Sequence, residues 1–447
     1  MTMLDTLVRG GCIVTLNSDW DVFEGDLLVR GNRIEALGPA GSIACDPGTR
    51  VLDATGCWVM PGFIQPHIHL CQALFRGFAE DVPLLEWLSR YIWPFEGAHR
   101  PESLRVSAQL GIAELLLGGT TSILDMGTVH HTNVIFEVAA SAGIRLTSGK
   151  AMMDAGDERP PGLVESTTES LEASAELAAR WHGAANGRLR YAYAPRFILS
   201  CTEELLRETA ILARQQGCFL HTHASENPAE VDAVREITGK ENIAALHALN
   251  ISGPDVVLAH CVWLSAAEKQ ILAETGTRVA HCPSANLKLG SGVAEIPEMM
   301  RQGIALGIAA DGAPCNNRLS AFTEMRLAAL LQKPRAGTDA LAARDVLRMA
   351  TMGGAEILGL AADTGSLEIG KKADLLVIDG ERPHLRPKTD PYHTLVYAAE
   401  ASDVRDVFVD GQWLVRSRQL TTLPLDRILD EAEREMEGIL TRCQDRR

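Results

Sequence analysis

No run of about 20 apolar residues occurs in the sequence, so a membrane-spanning helix and a membrane partner are not expected. The N-terminal stretch lacks a basic start followed by a long apolar run, which argues against a secretory signal. No cluster of five or more lysines and arginines is present, and the formal net charge is −16. Binding a nucleic-acid polymer needs concentrated positive charge, so that partner is also unexpected. The ten cysteines are scattered, with no C-x-x-C pair. That gives no support to a zinc knuckle or an iron–sulfur site and points to reduced, mostly buried thiols in a cytoplasmic setting. Internal repeats and low-complexity segments are missing as well.

What is present is an ordinary globular composition. Of 447 residues, 46% are apolar and 22% charged, enough for a large core and a small-molecule partner. The first sixty residues read as short strands: Leu7–Leu16, Asp26–Val29, Arg33–Leu37, Val51–Asp53 and Cys57–Met60, with a hairpin turn at Arg30-Gly31-Asn32. From Pro61 onward the pattern changes. Eight apolar strands are predicted at Gly62–His67, Thr121–Asp125, Arg145–Met152, Leu189–Pro195, Phe219–His223, Val256–His260, Thr277–His281 and Ala305–Asp311. Helical runs such as Ser103–Leu117, Thr167–Trp181 and Thr202–Gln216 separate them. Eight strand–helix units imply an α/β fold closed as a parallel (β/α)8 TIM-type barrel. After it, Ala373–Ile378 and a hairpin of Val404–Val409 and Gln412–Val415 resemble the N-terminal strands, so both chain ends are expected to form one small β-sandwich. The expected division is 1–60 plus 365–447 for the sandwich, with a polar C-terminal helix over Leu425–Leu440, and 61–364 for the barrel. Glu158–Gly162 (ERPPG) reads as a surface loop.

The chemistry gathers at strand ends. In Gln65-Pro66-His67-Ile68-His69 two histidines lie at i and i+2, on one face of a strand, where both imidazoles can reach one ion. Alone, such a pair is equally compatible with two loop histidines bonded to backbone. But His223, His260, His281 and Asp311 also end predicted strands, and a parallel barrel builds its active site where its strands end. Five of the 13 histidines fall at these positions. Asp311 follows a long apolar run, where an unpaired carboxylate is costly and a metal would explain it. Glu226, three residues after His223, can fold back as a general acid/base, or can simply complement a helix N-terminus.

The segments PGFIQPHIH (61–69), LLEWL (84–88), HTHASE (221–226), AHCVWLS (259–265), HCPSANLKLGSG (281–292), ADGAPCNN (310–317) and GSLEIGKKADLLVID (365–379) together resemble the amidohydrolase superfamily. The similarity is to its branch of aminohydrolases and chlorohydrolases, and it covers most of the chain. It implies the barrel, the β-sandwich, a homo-oligomer and one divalent metal, zinc in the first place and ferrous iron as the alternative. The ligands carry over onto His67, His69, His223 and Asp311, and Glu226, His260 and Asp311 onto the catalytic, proton-handling roles. Binuclear relatives carry a carboxylated lysine at the end of the fourth strand, where this chain has Pro195-Arg196. Lys150, on the predicted third strand, is expected to be structural or to line the pocket.

The resemblance implies hydrolytic deamination of an amino-substituted heteroaromatic ring. Gln72 and Arg196 look like the residues that hold the ring in guanine deaminases. An arginine offers donors to a carbonyl and a glutamine offers both a donor and an acceptor, which suits an amino-lactam such as guanine, a pterin or isocytosine. Other features are closer to deaminases of S-adenosylhomocysteine, 5′-methylthioadenosine and 5′-deoxyadenosine: the Asp311–Asn317 segment, Glu324-Met325-Arg326, and Glu96 as a ribose ligand. That group usually has histidine where Arg196 stands. A triazine amino- or chlorohydrolase, a cyclic-amide hydrolase and a non-catalytic scaffold are the remaining alternatives. Trp87 and Phe75 are candidate pocket walls, partly core. Cys315 and His281 are expected to shape loops, and His130-His131 to lie at the surface.

Overall fold

The computed structural model describes residues 5–156 and 159–444. Five strands open the chain: β1 (Thr6–Val14), β2 (Val22–Arg30), β3 (Arg33–Pro39), β4 (Arg50–Asp53) and β5 (Trp58–Pro61). The barrel strands follow as β6 (Phe63–His69), β7 (Thr120–Asp125), β8 (Arg145–Ser148), β9 (Ala151–Met152), β10 (Leu189–Pro195), β11 (Phe219–Ala224), β12 (Val256–His260), β13 (Arg278–His281), β14 (Leu306–Ile308) and β15 (Asp311–Gly312). The chain then adds β16 (Leu375–Ile378), β17 (Val404–Val409), β18 (Gln412–Arg416) and β19 (Gln419–Leu420).

β6 through β14 pair in parallel, in chain order around the sheet. The segment Leu306–Gly312 closes it: β14 pairs with β13, and two residues later β15 pairs with β6, Asp311 opposite Ile68. Between these two pairings the ladder is broken, and the Gln65 side chain fills the gap by accepting a hydrogen bond from Ala310 N at 2.8 Å. Nearly every barrel-strand residue is buried, as a parallel sheet covered on both faces requires. Alternation divides them. Val257 joins an inner cluster with Ile64, Leu124 and Ala280, while Val256 and Leu258 face outward into the large core shared with the helices. Pro66 has no N–H to give, and the β6–β7 register shifts across it.

The expected third strand, Arg145–Met152, is instead two short strands interrupted at Gly149-Lys150. The backbone there is pressed between its neighbours. A Cβ on Gly149 would lie 1.7 Å from Ala192 O, and one on Gly127 would lie 1.8 Å from Gly149 O, so only glycine fits either place. Lys150 therefore sits in the break, where its ammonium is buried against the Glu165 carboxylate. The eighth predicted strand likewise ends early, at Ile308, and resumes at Asp311.

Strands from both chain ends do meet, in one continuous mixed sheet ordered β19-β18-β17-β16-β5-β1-β2-β3, with β4 beside β1. β16 is its seam, antiparallel to β5 from the N-terminal part and to β17 from the C-terminal part. Val8, Ile13, Leu27, Val59, Leu375 and Phe408 form its core. The C-terminal helix runs longer than expected, Leu425–Gln444, and buries Ile428, Met436 and Ile439. It packs on the helix Pro101–Leu117. No helix among the described residues is long and apolar enough to cross a membrane. All ten cysteines are free, seven of them buried. His130 and His131 are exposed. In the proline-rich stretch, Glu158 lies outside the described residues and Pro161–Leu163 form one surface turn.

Candidate active site

The strand-end residues singled out in the sequence converge at one mouth of the barrel. His67 and His69 end β6, His223 lies near the end of β11, His260 ends β12 and Asp311 begins β15. His260 and Asp311 have φ of 72° and 64°, left-handed conformations that non-glycine residues seldom adopt. That turn lets strand-terminal residues swing their side chains in toward the barrel axis. His67 Nε2 and His69 Nε2 stand 3.3 and 3.4 Å from Asp311 Oδ1, and His69 Nε2 is 3.2 Å from His223 Nε2.

Hydrogen bonding on the far side of the ring fixes which nitrogen is bare in His223 and in His67. His223 Nδ1–H donates to Arg196 O at 2.7 Å, so its Nε2 carries a lone pair. His221 Nδ1–H donates to Val257 O at 3.0 Å, leaving its Nε2 to accept from His67 Nδ1–H at 2.8 Å. His67 Nε2 is then also bare, and it is buried without a hydrogen-bond partner. Burial lowers the basicity of His67, His69 and His223, so all three are neutral imidazoles. Lone pairs and a carboxylate that converge with no proton between them fit a cation. His67, His69 and Asp311 present ligand atoms within 4.8 Å of one another, as do His67, His223 and His260. β10 ends at Pro195 and is followed by Arg196, so no lysine stands there to bridge a second ion.

Beside this cluster lie His260 and Glu226, the pair expected to handle protons. His260 Nδ1–H donates to Asn286 Oδ1 at 2.9 Å, which aims Nε2 at Glu226 Oε2 (3.5 Å) and Asp311 Oδ2 (3.8 Å). Burial pushes the Glu226 carboxyl up to about 7, against the lowering effect of His260, so it exchanges a proton near neutral pH. Glu230 holds Glu226 in place, accepting a hydrogen bond from Glu226 N at 2.7 Å.

A pocket opens over both groups, lined also by Gln72, Arg196 and the apolar Leu84, Trp87, Leu88, Phe197 and Leu289. Gln72 comes from the 3-10 turn Leu70–Phe75. That turn is anchored at Leu70 N by Asp125 Oδ1, 2.8 Å away. Trp87 and Glu96 come from one helical run, Leu84–Gly97, whose central stretch Leu88–Ile92 is π-helical. Phe75 is core and does not line the pocket.

Glu96, expected on the substrate, is buried and is not among the residues lining the pocket. The Arg196 guanidinium pairs with both of its oxygens, and Gln72 Nε2 donates to Glu96 Oε1 at 2.8 Å. A carboxylate only accepts, so Gln72 must give it the NH2 group and direct its own Oε1 elsewhere. That oxygen is buried without a partner. His221, Glu230 and Asn286 went unread in the sequence. Only His221 left a signal there, since His221-Thr222-His223 repeats the i, i+2 spacing of His67 and His69.

The chain is 35% identical over 442 residues to a 5′-deoxyadenosine deaminase of Methanosarcina mazei, covering 98% of this chain and 99% of the relative. Its fold matches the crystal structure of a zinc-bound adenosine deaminase from Xanthomonas campestris with a TM-score of 0.93 at 31% identity, over 98% of this chain and 99% of that one. It matches E. coli guanine deaminase with a TM-score of 0.85 at 29% identity, over 92% and 99% of the two chains. The model of the amidohydrolase family matches residues 58–414, and the chain belongs to that family of hydrolases.

Proposed function

We propose that this protein is a metal-dependent aminohydrolase that releases ammonia from an amino-lactam ring of the guanine, pterin or isocytosine type. The observation that supports this substrate class is the double engagement of Glu96 by Arg196 and Gln72. Arg196 and Gln72 take three of the roughly four acceptor sites of its carboxylate, which leaves Glu96 little capacity for the two hydroxyls of a ribose. Gln72 Oε1 is left as a buried acceptor and Arg196 as a buried donor on the pocket wall. A ring edge with an N–H beside a carbonyl matches that pair, the N–H donating to Gln72 and the carbonyl accepting from Arg196.

In this reading His67, His69, His223 and Asp311 hold one divalent cation, zinc as in the Xanthomonas relative. When bound, the cation supplies the Lewis acidity that makes water a nucleophile at neutral pH. Asp311 and His260 orient the attacking water and take its proton. Glu226 gives a proton to the ring nitrogen beside the amino-bearing carbon, which makes that carbon more electrophilic. Water adds to the carbon, the carbon–nitrogen bond to the amino group breaks, and ammonia leaves with the transferred proton.

A second reading, deamination of an adenosine-type nucleoside, is favoured by the curated relatives at 34–37% identity. It requires Glu96 to share with ribose hydroxyls a carboxylate that already accepts from Arg196 and Gln72. Ammonia release by the zinc-loaded protein separates the two. Turnover of guanine, isoxanthopterin or isocytosine supports the amino-lactam reading. Turnover of 5′-deoxyadenosine and S-adenosylhomocysteine alone replaces it with the nucleoside reading.

A further inference from the structure

The helix Ala321–Ala336 carries a fully buried acid that the mechanism above does not use, Glu324. It does not line the pocket. Its carboxylate accepts from two different loops. Ser284 gives it a backbone N–H, 3.0 Å from Oε2, and its hydroxyl, which donates to Oε1. Asn316 Nδ2 donates to Oε1 at 2.9 Å. Each loop supports one group of the site. Ser284 lies in the short helix Pro283–Lys288, two residues before Asn286, whose Oδ1 accepts from His260 Nδ1–H. Asn316 spends the second hydrogen of its amide on Ala310 O, at 2.7 Å. That carbonyl belongs to the peptide leading into Asp311, where φ is 64°. A left-handed aspartate persists only where its surroundings hold it.

Resting on the reading that Asp311 and His260 serve the cation and the attacking water, we propose that Glu324 is a positioning residue that sets these two groups against each other, through Asn316 on one side and Asn286 on the other. A link that only filled space could be apolar, because burying a carboxylate is costly and well-packed apolar residues replace such groups at little loss. What an apolar side chain cannot do is accept from both loops at once. A glutamine shows why two accepting oxygens are needed. It has the same shape but one accepting oxygen and an NH2 group that only donates. With the NH2 toward Ser284 N, donor faces donor and the Asn286 loop is released. With the NH2 toward Asn316, the amide of Asn316 must turn away and the Asp311 peptide is released.

The test compares Glu324→Gln, Asn316→Ala and the double variant with the wild type. Two quantities are read: ammonia release from whichever of guanine and 5′-deoxyadenosine the wild type deaminates, and zinc retention against a chelator. Each single variant is expected to lose about 10- to 100-fold in kcat with KM within about twofold, because neither residue lines the pocket. Each should give up its zinc at about tenfold lower chelator concentration. The double variant should be little worse than Glu324→Gln, since both changes cut one chain of hydrogen bonds. Wild-type kcat and zinc retention per folded molecule, or losses that multiply in the double variant, overturn the proposal. If Glu324→Gln does not fold, Asn316→Ala decides alone, and wild-type kcat and zinc retention in it overturn the proposal. If the wild type deaminates neither compound, the aminohydrolase reading fails, and zinc retention by itself upholds or overturns the role of Glu324.

Discussion

Two buried arginine–carboxylate pairs lie in different regions of this protein, and they are used in opposite ways. Where the barrel meets the small sheet, Arg145 at the start of β8 grips Asp374 with Nε at 2.8 Å and Nη2 at 3.0 Å. Asp374 Oδ1 also accepts from Asp410 N, and Gly62 N bonds to Asp374 O at 3.0 Å. Neither Arg145 nor Asp374 lines the active-site pocket, and neither leaves a buried side-chain polar atom unpaired. At the barrel mouth, Arg196 grips Glu96 in the same two-pronged manner, but Gln72 Oε1 beside it has no partner and the group borders open space. The first pair joins strands from distant parts of the chain. In the proposed reading, the second holds recognition atoms for a ligand. The ion pair does not distinguish a structural site from a functional one; the neighbouring atoms left unpaired do.

The largest expected effect that sharpens this contrast is Glu226→Gln. It removes the proton donor at the mouth, and kcat should fall about 10²- to 10⁴-fold while the denaturation midpoint hardly moves. Arg145→Ala should do the reverse. It strands Asp374 in a buried setting at a cost of about 3–5 kcal/mol, measured by urea unfolding, with kcat per folded molecule unchanged. A variant that lost activity without losing stability would break the assignment of Arg145 as a staple. Gly312→Ala probes the mouth more gently. Its Cβ would lie 2.2 Å from Gln72 Oε1, so the amide must move, and kcat/KM should drop about tenfold with little change in stability. Smallest of all is Arg427→Ala, which removes an exposed i, i+4 pair with Glu431 on the C-terminal helix. Thermal unfolding should hardly register the change, because water screens what burial intensifies elsewhere.

The sequence made the barrel legible because buried parallel strands are short apolar runs with polar ends. Leu189–Pro195, Val256–His260 and the helix Thr167–Trp181 have the boundaries expected of them, the helix because Ser166 and Glu169 form a capping box. The strand-end histidines and Asp311 were legible for the same reason, since position along a barrel strand carries meaning. The break at Gly149-Lys150 was hidden, because the pressure that demands glycine comes from Ala192, more than forty residues away. The engagement of Glu96 was hidden likewise. Nothing local to Pro94-Phe95-Glu96 says that Arg196, a hundred residues later, will occupy its carboxylate. Tautomers are also tertiary facts: His221 orients His67 only because Val257 O commits its other nitrogen.

The claim that the unpaired atoms at the barrel mouth await a single cation is tested most directly by elemental analysis of the protein after zinc loading and removal of free metal. One equivalent of zinc per chain, lost in His67→Asn, is the predicted result. Two equivalents, or one that survives in His67→Asn, would contradict it.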